Sequence, residues 1–292
     1  MRQVSITQEA ILYELADFQY LTNSQLERLL DRSKSAVSRN MTALVNTFNP
    51  LVMRVDYLNN GKWGRNESIY YLSERGVKAL EGRGLERERI KYPKRKVLAF
   101  NSDYFHRVRT VDFFVSLKLW THSQAHELES FTYYFQQNSG SNRNNRGGQH
   151  LSDNKIDVEK DGVGYVVPDG IFMLRRDAQM PIFGLFEQHN GRDTGKLLRQ
   201  IHAHCVAITH GLPSLAYDAK HEGEYIANRV FISFEHEACM KATMYRLARD
   251  EAFQPLKPLF VFKLSEEVKA TSFYEGWLFA DGQQAGFLGD AI

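Results

Sequence analysis

Two acidic residues stand at the ends of short apolar runs: Asp169 in VVPDGIFML and Glu187 in FGLFEQHN. Val163–Leu174 is rich in β-branched and aromatic residues and is interrupted by Pro168-Asp169-Gly170, while Pro181–Phe186 reads as an apolar strand that ends on Glu187. From Asp193, the apolar residues Leu197, Leu198, Ile201, Cys205 and Ile208 recur at helical spacing. A strand with an acid near its start, a strand ending in an acid and then a helix would bring both carboxylates to one sheet edge. Paired carboxylates suit a hard divalent cation such as Mg2+, which takes oxygen ligands and is usually held by one or two acids plus substrate phosphate. A cation there would polarise a phosphate and activate a nucleophile. Each feature also has a plainer explanation, since Pro-Asp-Gly is a common turn and a Glu at a strand end needs no chemistry.

The elements that must position these acids belong to a chain of 292 residues, enough for one large domain or two ordinary ones. Apolar, charged and aromatic fractions are those of a globular protein, and no apolar run approaches the roughly 18 residues of a membrane span. The opening MRQVSITQEA has no apolar signal core, so the expected compartment is the cytoplasm. Cys205 and Cys239 have no metal-ligand spacing and read as buried thiols. The net charge of +2 conceals an asymmetry: residues 1–97 hold 17 Lys/Arg against 11 Asp/Glu, and the remainder 20 against 24. A basic N-terminal part on a slightly acidic remainder fits a nucleic-acid-binding module attached to something else.

That N-terminal part reads as three helices, a hairpin and a fourth helix. Thr7 is expected to cap a helix to about Ala16, Thr22 with Gln25 forms a capping box for a second, and Ser33 caps a third over 34–46. Val37, Met41, Leu44 and Val45 form the buried stripe of the third helix, leaving Lys34, Ser35, Ser38, Arg39 and Thr42 on its other side. Short polar and basic residues there suit groove readout. Strand Leu51–Leu58, the turn Asn59-Asn60-Gly61, a basic tip with Lys62 and Arg65, and strand Ser68–Leu72 follow, and Ser73 caps the closing helix. This order resembles a winged helix, and YYLSERG looks like the ending of many bacterial winged-helix domains. Lys34, Ser35, Ser38, Arg39, Lys62 and Arg65 are the expected DNA contacts.

The domain boundaries read as 1–81, a basic linker at 82–97 and a second domain over 98–292. In the linker GRGLERERIKYPKRKV, Lys94-Arg95-Lys96 would add non-specific phosphate affinity. Beyond it come a helix of about 20 residues from Ser102, strand Leu128–Phe135, a polar stretch Asn138–Asn154 that reads as a mobile loop, and a hairpin turning at Lys160-Asp161-Gly162. After the central stretch lie strand Arg229–Phe234, helix Glu235–Arg249, strand Leu259–Leu264 and an aromatic strand near Trp277–Phe279. Tyr133 and Tyr134, which a tyrosine-nucleophile mechanism would need, sit beside Phe131 and Phe135 and read as strand packing.

Helix, strand, strand beginning PD, strand ending in E, helix and strand is the core order of the PD-(D/E)XK restriction-endonuclease-like fold. With a winged helix in front, and HRVRTVDFFVSL preceding the two acidic segments, residues 5–210 resemble the replication-relaxation proteins of plasmids and integrative elements, and within them the MobC-type relaxases. The fold class is therefore α+β: a winged helix-turn-helix followed by an α/β nuclease-like domain. The resemblance implies a protein that binds a transfer or replication origin in double-stranded DNA and nicks one strand with Mg2+ or Mn2+. Other mobilisation proteins and a second copy of the chain would be its partners. The motif's acids fall on Asp169 and Glu187. Its lysine position holds His189, which has the chemistry of a general base, a metal ligand or a phosphate contact. Lys196, sharing a helix flank with Gln200 and His204, is the alternative source of positive charge, and Asp112 is the nearest acid on the preceding helix. His202 and His204 read as helix-surface residues. The replacement at 189 motivates a second reading: a non-catalytic DNA-binding regulator whose nuclease-like domain serves dimerisation.

Overall fold

The computed structural model describes residues 4–57, 66–93, 103–124, 126–135, 154–176, 179–213, 227–270 and 272–287. Lys62, Arg65, Lys94–Lys96 and the polar stretch up to residue 153 lie outside them. The chain is a mixture of helices and sheets, α+β in class, and divides into two compact units. The first holds the described residues up to Val111 and the second those from Asp112 onward.

In the first unit, helices α1 (Ile6–Phe18), α2 (Asn23–Leu30) and α3 (Lys34–Val45) precede strands β1 (Val52–Val55) and β2 (Ile69–Leu72) and helix α4 (Glu74–Glu81). Local side-chain chemistry sets the helix starts. Thr22 and Gln25 form a reciprocal capping box, and Ser33 and Ser73 accept from the amides of Ala36 and Gly76. α1 begins earlier than expected, because Ser5 and not Thr7 forms the box, with Gln8. The buried stripes Ile11-Leu12-Leu15, Val37-Met41-Leu44 and Val77-Leu80 converge on Val52, Ile69 and Leu72. β1 and β2 pair antiparallel from Val52↔Leu72 to Val55↔Ile69, and Leu21 exchanges two backbone bonds with Tyr70.

The stretch after α4 is packed, not a solvated linker as far as Pro93. Arg87, in a 3-10 turn over Arg87–Arg89, donates to Glu74, Glu81 and Tyr92 at 2.6–2.9 Å. Lys91 N donates to Ala16 O at 2.8 Å, and Ile90 and Tyr92 are buried. Helix α5 (Tyr104–Ser123) begins in this unit: Gln25 Nε2 donates to Val108 O at 3.1 Å and the Tyr104 hydroxyl to Glu67 O at 2.9 Å. The division between the units thus falls within α5, later than the 82–97 stretch.

In the second unit, β3 (His126–Tyr133), β6 (Gly170–Arg176), β7 (Gln179–His189), β8 (Ala227–Phe234), β9 (Phe260–Leu264), β10 (Trp277–Leu278) and β11 (Gln284–Ala285) form a seven-stranded sheet in the order β11-β10-β9-β8-β7-β6-β3. β7, β8 and β9 are parallel, linked through α6 (Thr194–Thr209) and α7 (Glu237–Leu247), whereas β6 is antiparallel to both neighbours. β4 (Ile156–Lys160) and β5 (Val163–Val166) make a separate hairpin, with Asp161 and Gly162 both at positive φ in its turn.

β7 is apolar without alternation because both faces are covered. Phe186 stacks at 3.9 Å on Phe113 of α5, which Phe172, Phe231, Phe273 and Trp277 surround. Phe183 and Leu185, of opposite parity, pack instead with Leu197 and Ile201 of α6 and Met240 and Met244 of α7. By the same alternation Glu187 and His189 fall on the α6 face and Gln188 on the other. Gln188 joins Ser265, the first residue of α8 (Ser265–Ala270), and Ser233 in a buried network at 2.8–2.9 Å. The strand that ends in chemistry therefore runs beyond Phe186 and Glu187, to His189.

Candidate metal and nicking site

The register of β6 on β7 determines where the two acids stand. Gly170, the first residue of β6, pairs with Phe186, which sets Asp169, one residue before it, next to Glu187, one residue after Phe186. The C-terminal end of a parallel strand in an open α/β sheet is where such folds bind ligands, and β7 presents Glu187 and His189 there.

Asp169 is fixed from three directions. Its side-chain Oδ2 accepts from Gln188 N at 2.7 Å, and its carbonyl accepts from Tyr134 N at 3.0 Å. The residue before it, Pro168, accepts from Asn154 Nδ2 at 3.1 Å, and Asn154 Oδ1 in turn accepts from the Thr132 hydroxyl at 2.6 Å. Asn154 is fully buried. It closed the polar stretch in the sequence and read as loop, yet it ties β3 to the Pro-Asp turn. Gly170 is required for a steric reason: a Cβ there would come within 2.5 Å of the Phe114 ring.

Glu187 is buried, and its Oε1 lies 2.6 Å from Nε2 of His204. His204 is entirely buried, which corrects its reading as a helix-surface residue on the Lys196 flank. It belongs to the stripe Leu197, Ile201, His204, at spacings of four and three, and that stripe faces the sheet. Ile208 completes the pattern, so the spacing held the signal and the polarity of histidine masked it. Burial pushes the imidazole down to about 4, against the opposing attraction of Asp169. The ring is then neutral near pH 7, so Nε2–H donates to the Glu187 carboxylate. His204 Nδ1 is buried with no hydrogen-bond partner among the described residues.

The remaining expected residues are dispersed around this cluster. His189 is buried, its ring near Phe234 at 5.9 Å and its carbonyl accepting from Glu235 N at 2.9 Å. Lys196 is exposed in the first turn of α6, its amide capped by Asp193 at 3.0 Å. Asp112 lies on α5, which covers the opposite face of the sheet from Glu187, and pairs with Lys269 of α8. It therefore does not join the two acids. Cys205, on the flank of α6 that lines a cavity of about 270 Å³ with His202 and Arg246, is pushed up to about 12 by burial and is an inert thiol at neutral pH.

Among the described residues, no three His, Cys, Asp or Glu side chains form a group able to hold a metal ion alone. The donors at Asp169 and Glu187 are nevertheless oxygens, and Asp169 is partly exposed. They suit a cation that completes its shell with water and phosphate, as Mg2+ does. In the first unit, Lys34, Ser35, Ser38, Arg39 and Thr42 are all exposed along α3, while Val37, Met41 and Leu44 are buried.

No curated protein and no solved structure matches the chain. The family model described as replication-relaxation matches residues 12–192, more than half of the chain, and spans Asp169, Glu187 and His189 but neither Lys196 nor His204. With that match laid over two helix-and-sheet units, one exposing a polar helix face and the other pairing two acids, the chain belongs to the replication-relaxation family.

Proposed function

We propose that this protein acts in the replication or transfer of a plasmid or other mobile element, binding an origin in duplex DNA and nicking one strand in a divalent-metal-dependent reaction. Family membership supports the mobile-element setting. The observation that carries the chemistry is the Gly170↔Phe186 pair, which leaves Asp169 and Glu187 at neighbouring strand ends, with the Asp169 carboxylate accepting from Gln188 N and partly open to solvent. In this reading Asp169 and Glu187 would hold Mg2+ or Mn2+, which would supply charge stabilisation at the scissile phosphate. Gln188 N and the Asn154 bridge hold Asp169 in place, and His189 takes or gives a proton at the same strand end. Lys196, on the first turn of α6, offers a cation to the DNA backbone.

The first unit would act as a winged helix, with Lys34, Ser35, Ser38 and Arg39 of α3 entering the major groove and Lys62 and Arg65 at the wing tip. The basic residues at 94–96 would add phosphate contacts. Arg39→Ala is expected to weaken DNA binding and to lower the slope of log affinity against log salt by about 1. Fluorescence anisotropy across a salt series checks this, and an unchanged slope would remove Arg39 from the interface.

One observation favours a non-catalytic regulator: the position two residues after Glu187 carries His189 where the nuclease motif has lysine. The two readings part on supercoiled DNA of the replicon that carries the gene. Nicking that requires Mg2+ or Mn2+ and disappears in Asp169→Asn supports the enzyme. Sequence-specific binding without nicking under either cation supports the regulator.

A further inference from the structure

We infer that His204 is a positioning residue of this site, a buried donor that fixes the Glu187 carboxylate beside Asp169 so that it can meet a divalent cation. The inference rests on the cation-site reading above and deepens it. Three observations carry it: His204 is wholly buried, its Nε2 stands 2.6 Å from Glu187 Oε1, and it completes the apolar stripe of α6.

A buried carboxylate is costly without a hydrogen-bond donor, and His204 supplies one to Glu187 from the α6 side. A lysine or arginine there would satisfy it but would also cancel the negative charge a cation requires. A histidine N–H orients the carboxylate without placing the permanent charge of a lysine or arginine beside it. Ligating carboxylates are commonly held in this way, and removing the holder typically costs about 10–100-fold in metal affinity. The side chain must also reach: α6 is held to the sheet by Leu197 and Ile201, so a shorter donor at 204 stops short of Glu187.

The test is Mn2+ binding by the full chain, read by electron paramagnetic resonance of the free ion, for wild type, Glu187→Gln, His204→Gln and His204→Asn. Glutamine places an amide N–H near the position of Nε2, and asparagine does not reach. The inference expects Glu187→Gln to lose Mn2+, His204→Gln to stay within a few-fold of wild type, and His204→Asn to weaken binding by about 10–100-fold. Thermal unfolding of the two His204 variants should be alike, which separates positioning from folding. Equal affinities for the Gln and Asn variants would overturn the positioning role while leaving Glu187 as a ligand. A folded His204→Gln that loses Mn2+ as fully as Glu187→Gln would overturn it too. Should wild type take up no Mn2+, or Glu187→Gln take it up as wild type does, the cation site itself falls and the role of His204 with it.

Discussion

Asp169→Asn and Glu187→Gln are each expected to lower metal-dependent nicking by about 10³-fold, roughly 4 kcal/mol of transition-state stabilisation, while leaving the thermal midpoint nearly unchanged. The amides are chosen because they remove charge and keep shape. The amide oxygen introduced at position 169 would still accept from Gln188 N, and the one introduced at 187 would still accept from His204 Nε2. What each variant loses is the negative charge that holds a cation at the strand end. The assay is conversion of supercoiled to open-circular DNA over time. Wild-type rates in both variants would show that the two acids are structural. A matched loss of rate and of folding would say the same.

The second large effect concerns Lys263, a buried lysine in β9, one strand from β8 and two from β7. Its Nζ donates to Glu275 O at 2.7 Å and Ser272 O at 3.3 Å and lies over the Trp277 ring at 5.5 Å. It thereby closes the turn that leads into β10. Burial pulls its ammonium down to about 8 from an ordinary 10.5. Between those values the unfolded chain keeps a proton that the folded chain has released. Stability therefore rises with pH from about 8 to 10.5, by at most roughly 3 kcal/mol. Lys263→Met should lack this rise, and it leaves two turn carbonyls without their donor. Urea unfolding of both proteins at pH 8 and pH 10 reads the difference. Parallel stability changes with pH would mean that Lys263 keeps its ordinary affinity for protons.

Local chemistry was legible in the sequence wherever a rule acts within a few residues. Thr22, Ser33 and Ser73 cap the helices expected of them, and Lys160-Asp161-Gly162 turns a hairpin. Tyr133 packs among Phe114, Phe131 and Phe135, as its neighbours suggested. Ser5 displaced Thr7 because Gln8 stands three residues on and completes the box. That Asp169 and Glu187 stand at neighbouring strand ends was also legible, since it needs only that β6 and β7 pair antiparallel.

Long-range partners were not legible. Asn154 sits at the end of a polar stretch, and nothing nearby in sequence announces Thr132 and Pro168 as its partners. Asp112 is bound by Lys269, more than 150 residues away. His204 stands between these cases: its position on the Leu197–Ile201 stripe is a local signal, but its partner Glu187 appears only when α6 packs on β7. Among the described residues no helix is long and apolar enough to cross a membrane, which agrees with the hydropathy of the sequence.

The most direct measurement is anomalous scattering from crystals of the full chain soaked in Mn2+. A peak about 2.1 Å from oxygens of both Asp169 and Glu187 is the predicted result. Saturating Mn2+ with no peak at these carboxylates, or with the ion held elsewhere in the chain, would contradict the account.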